Sequence, residues 1–178
     1  MNRKVLLPVL LLSLLFLPLK AQRRSEPVEV SVEDLQATPY GVSITLRSAE
    51  SREVLNMMIG VTEGQAIARA LRHEKTERPM THDLLKTVLD RNGWRVQKVL
   101  IRNLARRATS GGTFLADLVL EKGSETQVYD VRPSDAIAIG LRYDAKIYVN
   151  PEVFDQQRQD QEEELEKLKP SEPDTLRL

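Results

Sequence analysis

The stretch Tyr129–Val149, YDVRPSDAIAIGLRYDAKIYV, restricts the fold more than any other part of the chain. It reads as strand, turn, short helix, turn, strand. Pro133 fixes φ and lacks an N–H, so it suits the edge of a helix and not its middle. Ser134 and Asp135 can cap free amides at the helix start, where a carboxylate also meets the positive end of the dipole. Ala136, Ile137, Ile139, Gly140 and Leu141 form a small apolar helix able to pack closely on a sheet. Arg142 falls in the last turn, where a cation is favoured. Lys146 to Val149 then reads as a buried strand returning to that sheet.

The preceding chain supplies the rest of such a sheet. Val28, Val30 and Val32 alternate with polar residues, Pro39-Tyr40-Gly41 breaks the pattern, and Val42, Ile44 and Leu46 resume it, which predicts a hairpin. Glu53 to Ile59 is a third strand, and its apolar content predicts a central place in the sheet. Thr62 is a candidate cap for a helix over residues 63–73, with Ile67, Ala70 and Leu71 on its buried face. Thr81 is a candidate cap for a second helix, Asp83 to Arg91, with Leu84, Leu85, Val88 and Leu89 as its apolar stripe and Asn92-Gly93 as its stop. A long strand from Trp94 to Leu104 shifts its alternation near Lys98, which predicts a bulge. Ser110-Gly111-Gly112 turns the chain into a strand over 113–120, and residues 126–131 add another. A last helix starts at Pro151 and is held by Val153 and Phe154. The fold class is α+β, a single domain with a mixed, largely antiparallel sheet of about six or seven strands carrying three or four helices.

Charge and targeting divide the chain into segments. The 26 basic and 26 acidic residues balance, so no global field draws the chain to nucleic acid. Residues 1–21 carry Arg3, Lys4 and Lys20 around an apolar run, Val5 to Leu19, that is shorter than the ~20 residues needed to span hydrocarbon. They read as a signal peptide, with an uncleaved N-terminal anchor as the alternative, and predict an exported protein that is periplasmic or secreted, or else membrane-anchored. Residues 22–27 are a polar linker and 28–154 the domain. Residues 155–178 are a charged helix and a disordered tail, with eight acids and four bases. The chain has no cysteine, which is compatible with an oxidising compartment.

Several polar residues could carry chemistry, and each also has a structural reading. Glu63 complements a helix dipole or serves as ligand or general base. His82, at a helix N-terminus that disfavours the imidazolium, either holds the turn or, with Asp83, offers a neutral imidazole for proton or metal chemistry. Lys98, Arg102, Arg106 and Arg107 form a basic stripe that could follow a phosphate backbone or keep an exposed face soluble. Arg132 can pair with Asp83 or Asp135. No Gly-rich phosphate loop, zinc spacing or nucleophile elbow is present.

Three blocks carry a family resemblance. RPSDAIAIGLR, Arg132 to Arg142, followed by Ile147-Tyr148-Val149, resembles the signature of the bifunctional nuclease domain family, named for the activity of its plant members on DNA and RNA. Arg78-Pro79-Met80-Thr81-His82-Asp83-Leu84-Leu85 is similar to the family's RPxTHDLL, and Ile59 to Ile67 to its IG-x-x-E-[AG]-x-A-I segment. The order agrees, over roughly residues 28–154. The family's LPIWIG is here Leu55-Asn56-Met57-Met58-Ile59-Gly60, without the aromatic. The resemblance implies a nuclease that hydrolyses phosphodiester bonds in DNA or RNA, commonly with a divalent cation such as Mg²⁺ or Mn²⁺. It points to Glu63, Asp83, Asp135 and His82 as catalytic groups, and to Arg78, Arg132 and Ser134 as substrate contacts. The competing reading is a non-catalytic exported module in which the same residues cap helices and pair internally. A homo-oligomer is compatible with either.

Overall fold

A computed structural model describes residues 26–106 and 112–168. Residues 1–21, the turn at 110–111, Arg107 and the tail from 169 lie outside the described residues, and the targeting, turn and disorder expectations fall there. The elements in chain order are β1 (Val28–Thr38), β2 (Gly41–Arg47), β3 (Val54–Ile59), α1 (Val61–Leu71), α2 (Thr81–Arg91), β4 (Arg95–Arg106), β5 (Gly112–Lys122), β6 (Glu125–Val131), α3 (Pro133–Leu141), β7 (Lys146–Val149) and α4 (Pro151–Leu168). The seven strands form one sheet in the order β3-β2-β1-β7-β4-β5-β6. Every pairing is antiparallel except β4 with β7. That exception follows from the α3 segment, since β6 and β7 are joined by a helix that crosses over the sheet.

β1 joins the two halves of the sheet. Its first residues, Val28–Val30, pair with β7, and Ser31–Thr38 pair with β2. β4 shifts register at Val96/Lys98, where the sequence alternation changes phase, and again at Ile101/Asn103. The core lies between the sheet and α3. Ala136, Ile137, Ala138 and Ile139 of α3 are buried together with Val99, Ile101, Ala116 and Ile147 from the strands. α3 approaches β4 closely because residue 140 is glycine: a Cβ there would lie 2.7 Å from Val99 Cγ2.

Two expectations need correction. β3 is not central but stands at the edge of the sheet. Its apolar residues Leu55, Met57 and Ile59 are buried on one face, and its free edge is engaged at Asn56 by α4. The Gln157 side chain of α4 donates to Asn56 O (2.6 Å) and accepts from Asn56 N (3.2 Å), as a neighbouring strand would. The adjacent Gln156 accepts from Leu104 N of β4 (3.2 Å), so α4 bridges β3 and β4. The second correction concerns α2, which has no buried residue: Leu84, Leu85 and Val88 are all exposed. Only part of its surface rests on α3 and the turn that follows it, where Tyr143 Oη donates to Asp90 Oδ1 at 2.7 Å.

The helix starts also differ from the expected caps. Gly60, Met80 and Arg132 are the N-cap residues of α1, α2 and α3, and none makes a side-chain cap bond. Thr62, Thr81 and Ser134 fall inside the first turns instead. At α2 the cap is supplied in reverse, by Asp83 Oδ2 accepting from Met80 N at 3.0 Å.

Candidate active site at the first turns of three helices

The first turns of α1, α2 and α3 converge, because α1 and α2 both pack against α3. Each brings one or two polar side chains. Arg132, the residue before α3, extends its guanidinium between two carboxylates. Nε and Nη2 donate to Asp135 Oδ2 (2.7 Å) and Oδ1 (3.1 Å), and Nη2 also donates to Glu63 Oε1 (2.7 Å). The link to Glu63 spans 69 residues of sequence and joins α1 to α3. His82 Nε2 stands 3.4 Å from Asp135 Oδ1, a close polar contact without the alignment of a formed hydrogen bond. His82 and Glu63 are largely covered, with side chains 12% and 17% exposed, whereas Arg132 is 67% exposed. The cluster therefore has a buried wall and an open rim.

Gly60 permits this arrangement. A Cβ at position 60 would lie 2.2 Å from Glu63 Oε2. The tip of Glu63, the movable partner in that clash, would have to swing away from Arg132. The two carboxylates hold the Arg132 guanidinium above its ordinary pKa, the hydrogen bond to Asp135 first and that to Glu63 second. It is a fixed cation whose Nη1 has no hydrogen-bond partner among the described residues.

Beside the rim lies a cleft of about 310 Å³. Met57, Met58 and Ile59 line it from β3, Thr113 and Phe114 from β5, and Arg132, Pro133 and Ser134 from the start of α3. Ser134 is buried at its base.

Glu63, His82, Arg132 and Asp135 thus meet, and Ser134 is next to them in the cleft. Asp83 turns elsewhere. Its Oδ1 accepts from Arg142 Nε at 2.6 Å, seven residues and ~10 Å along α3 from Asp135 at 1.5 Å per residue. Burial pushes the Asp83 carboxyl up. The hydrogen bonds from Arg142 and Met80 N, with the charges of Arg142 and Arg69, outweigh that and hold it below the usual range. Arg142 also donates to Ala138 O (2.7 Å) and Ala66 O (3.3 Å). It pins α1 and α2 to the end of α3, a role beyond the dipole contact expected for it. Arg78 sits on the exposed loop before α2, where its carbonyl accepts from Thr76 Oγ1, and no ion pair among the described residues ties its side chain to the cluster. Arg102 of the basic stripe is clamped between Asp117 (2.6 Å) and Asp130, so it is not a free phosphate contact.

The donor set does not fit a resident metal. Among the described residues no group of three or more His, Asp or Glu is arranged to hold one, and both oxygens of Asp135 and Oε1 of Glu63 accept from Arg132. What the cluster can do is bind an oxyanion at Arg132 and exchange a proton at His82.

Residues 44–162 match the model of the bifunctional nuclease domain. A Mycobacterium tuberculosis protein described as uncharacterised is 34% identical over 129 residues, 72% of either chain. Bifunctional nuclease 1 of Oryza sativa subsp. indica and the bifunctional nuclease of Oryza minuta are each 30% identical over 114 residues. Those residues are 64% of this chain and 34% of the rice proteins, so the match covers about a third of their length. The matched region contains all four residues of the cluster, and the chain belongs to the bifunctional nuclease domain family.

Proposed function

We propose that the protein hydrolyses phosphodiester bonds in DNA and RNA at the Glu63–His82–Arg132–Asp135 cluster. One observation carries this reading: an exposed guanidinium, held in place by two carboxylates, has one nitrogen unpartnered at the rim of a cleft, and an imidazole stands beside one of those carboxylates. Arg132 binds the non-bridging oxygens of a phosphate and offsets the charge that develops on them. His82 Nε2 stands 3.4 Å from Asp135 Oδ1, and Nδ1 is the ring's other site for proton exchange. That nitrogen takes a proton from the attacking water as the new P–O bond forms, and returns it to the leaving oxygen as the old P–O bond breaks. Glu63 positions Arg132, and the Ser134 hydroxyl adds a donor at the base of the cleft.

The resemblance implies a divalent cation, and with this donor set such an ion would have to arrive with the substrate. Export, expected from residues 1–21, would make nucleic acid outside the cytoplasm the substrate. Fractionation of cells producing the full chain tests that point. A non-catalytic module is the second reading, favoured by the pairing of both carboxylates with Arg132.

The deciding experiment incubates the purified protein with single- and double-stranded DNA and RNA, in Mg²⁺, in Mn²⁺ and in chelator. His82→Ala and Arg132→Ala proteins purified identically run alongside. Loss of a single acid–base or charge-stabilising group should lower the rate ~10²-fold or more, with far-UV circular dichroism unchanged. Equal cleavage by all three proteins would reveal a contaminant, and no cleavage by any of them would leave the binding module.

A further inference from the structure

We infer that the cleft between β3, the start of β5 and the start of α3 receives the base of one unpaired nucleotide, whose phosphate lies against Arg132. This rests on the nuclease reading and names the form of nucleic acid it acts on. The cleft is amphipathic in the way a nucleotide is. Met57 and Phe114 give one apolar side, and Arg132, Pro133 and Ser134 border the other, with the unpartnered Nη1 at the rim. Its volume, about 310 Å³, is at the small end of the ~300–1,000 Å³ in which small ligands are held. That admits a single nucleotide and excludes a stacked base pair.

The walls bear on specificity as well. The Phe114 ring and the Met57 thioether offer a base a face to lie on and adapt to its size. The polar side chains of the lining are Thr113, Ser134 and Arg132, and stacking on the ring is tolerant of base identity, so recognition depends weakly on sequence. The surface around the cleft argues against duplex as the preferred form. Duplex binding draws on many phosphate contacts over a basic face. Here the chain is neutral overall, Arg102 is occupied by Asp117 and Asp130, and among the described residues Arg132 is the cation that lines the cleft. A duplex would also have to unpair and swing out the base before it could enter.

The test measures fluorescence anisotropy of a labelled ten-nucleotide single strand and of the same sequence as a duplex. It uses full-length His82→Ala protein in chelator, with the salt concentration varied. Single strand should bind on the order of a hundredfold more tightly than duplex, the unpairing of one base accounting for the gap. The logarithm of affinity should fall with the logarithm of salt at a slope of about −0.7 to −1.4, corresponding to one or two phosphates. Phe114→Leu should weaken single-strand binding about tenfold through lost stacking. Phe114 packs on the core, so Met57→Ala, which removes the facing thioether, gives the same readout if that variant does not fold. Equal affinity for the two forms, or no effect of Met57→Ala, overturns the inference. Wild-type cleavage with no strand preference would overturn it and leave the nuclease reading intact. Selective single-strand binding without cleavage would support the inference and remove the catalytic one.

Discussion

Arg142→Ala removes the pin that holds α1 and α2 to the end of α3, and its cost can be worked from the geometry. The side chain is 9% exposed and makes three contacts: Asp83 Oδ1, Ala138 O and Ala66 O. Removing one partner of a fully buried ion pair costs ~3–5 kcal/mol. Asp83 is 35% exposed, so water can reach the orphaned carboxylate and the pair itself is worth nearer ~1–2 kcal/mol. The two carbonyls lose a charged donor, which adds about 1–2 kcal/mol after water replaces part of it. The expected total is ~2–4 kcal/mol, or a fall in Tm on the order of 10 °C for a domain of this size. Urea unfolding followed by far-UV circular dichroism measures it. Asp83→Asn and the double variant complete the cycle, with a coupling of about 1–2 kcal/mol expected between the two sites. A loss below ~0.5 kcal/mol for Arg142→Ala, or a coupling near zero, would refute the pin. The same variants bear on function. If Asp83 acts only through Arg142 and the α2 cap, Asp83→Asn should keep its turnover per folded molecule.

Acid should unfold the domain partly through Asp83 and Asp90. Asp83 is lowered as described. Asp90 is lowered by the hydrogen bond from Lys86 first and that from Tyr143 second, against the effect of burial. Both bind protons more readily unfolded than folded. Their contribution is therefore complete above the unfolded carboxylate pKa of ~3.9 and is lost as pH falls through the lower folded values; a pH titration of Tm should show Asp83→Asn flattening that limb. Gly140→Ala should destabilise by ~1–3 kcal/mol by forcing Val99 and α3 apart, and an unchanged Tm would contradict the close approach. Gly60→Ala should leave Tm within ~0.5 kcal/mol but displace Glu63 from Arg132, and is checked by comparing its nuclease rate with that of Glu63→Gln. Gln157→Ala should cost about 1–2 kcal/mol and raise aggregation in light scattering.

The helix–strand order was legible because it depends on local periodicity and punctuation. The hairpin at Pro39-Tyr40-Gly41, the register shift near Lys98 and the α3 crossover are each written within a few residues. What escaped is non-local. β3 looked central because Leu55, Met57 and Ile59 are apolar, and inner-face burial reads the same at an edge as in the middle. What distinguishes the two is the neighbour, which is a glutamine amide more than a hundred positions away. Asp83 stood beside His82 in sequence, and nothing local says that the two side chains diverge, one to Arg142 and the other to Asp135. Of the two partners open to Arg132 in the sequence, Asp83 and Asp135, the structure pairs it with Asp135, whereas its link to Glu63 needed the α1–α3 packing.

The clasp of Gln157 on Asn56 gives the chain a direction in time. The two residues are 101 positions apart, so during synthesis β3 is made long before its cover exists. Until α4 has left the ribosome, β3 presents open N–H and C=O groups to any passing strand. Completion of the sheet is thus deferred to nearly the end of the domain, and a chain cut short before Gln157 would carry every residue of the Arg132 cluster together with an adhesive edge. Such a fragment should be recovered mainly as aggregate, even though its site residues are intact.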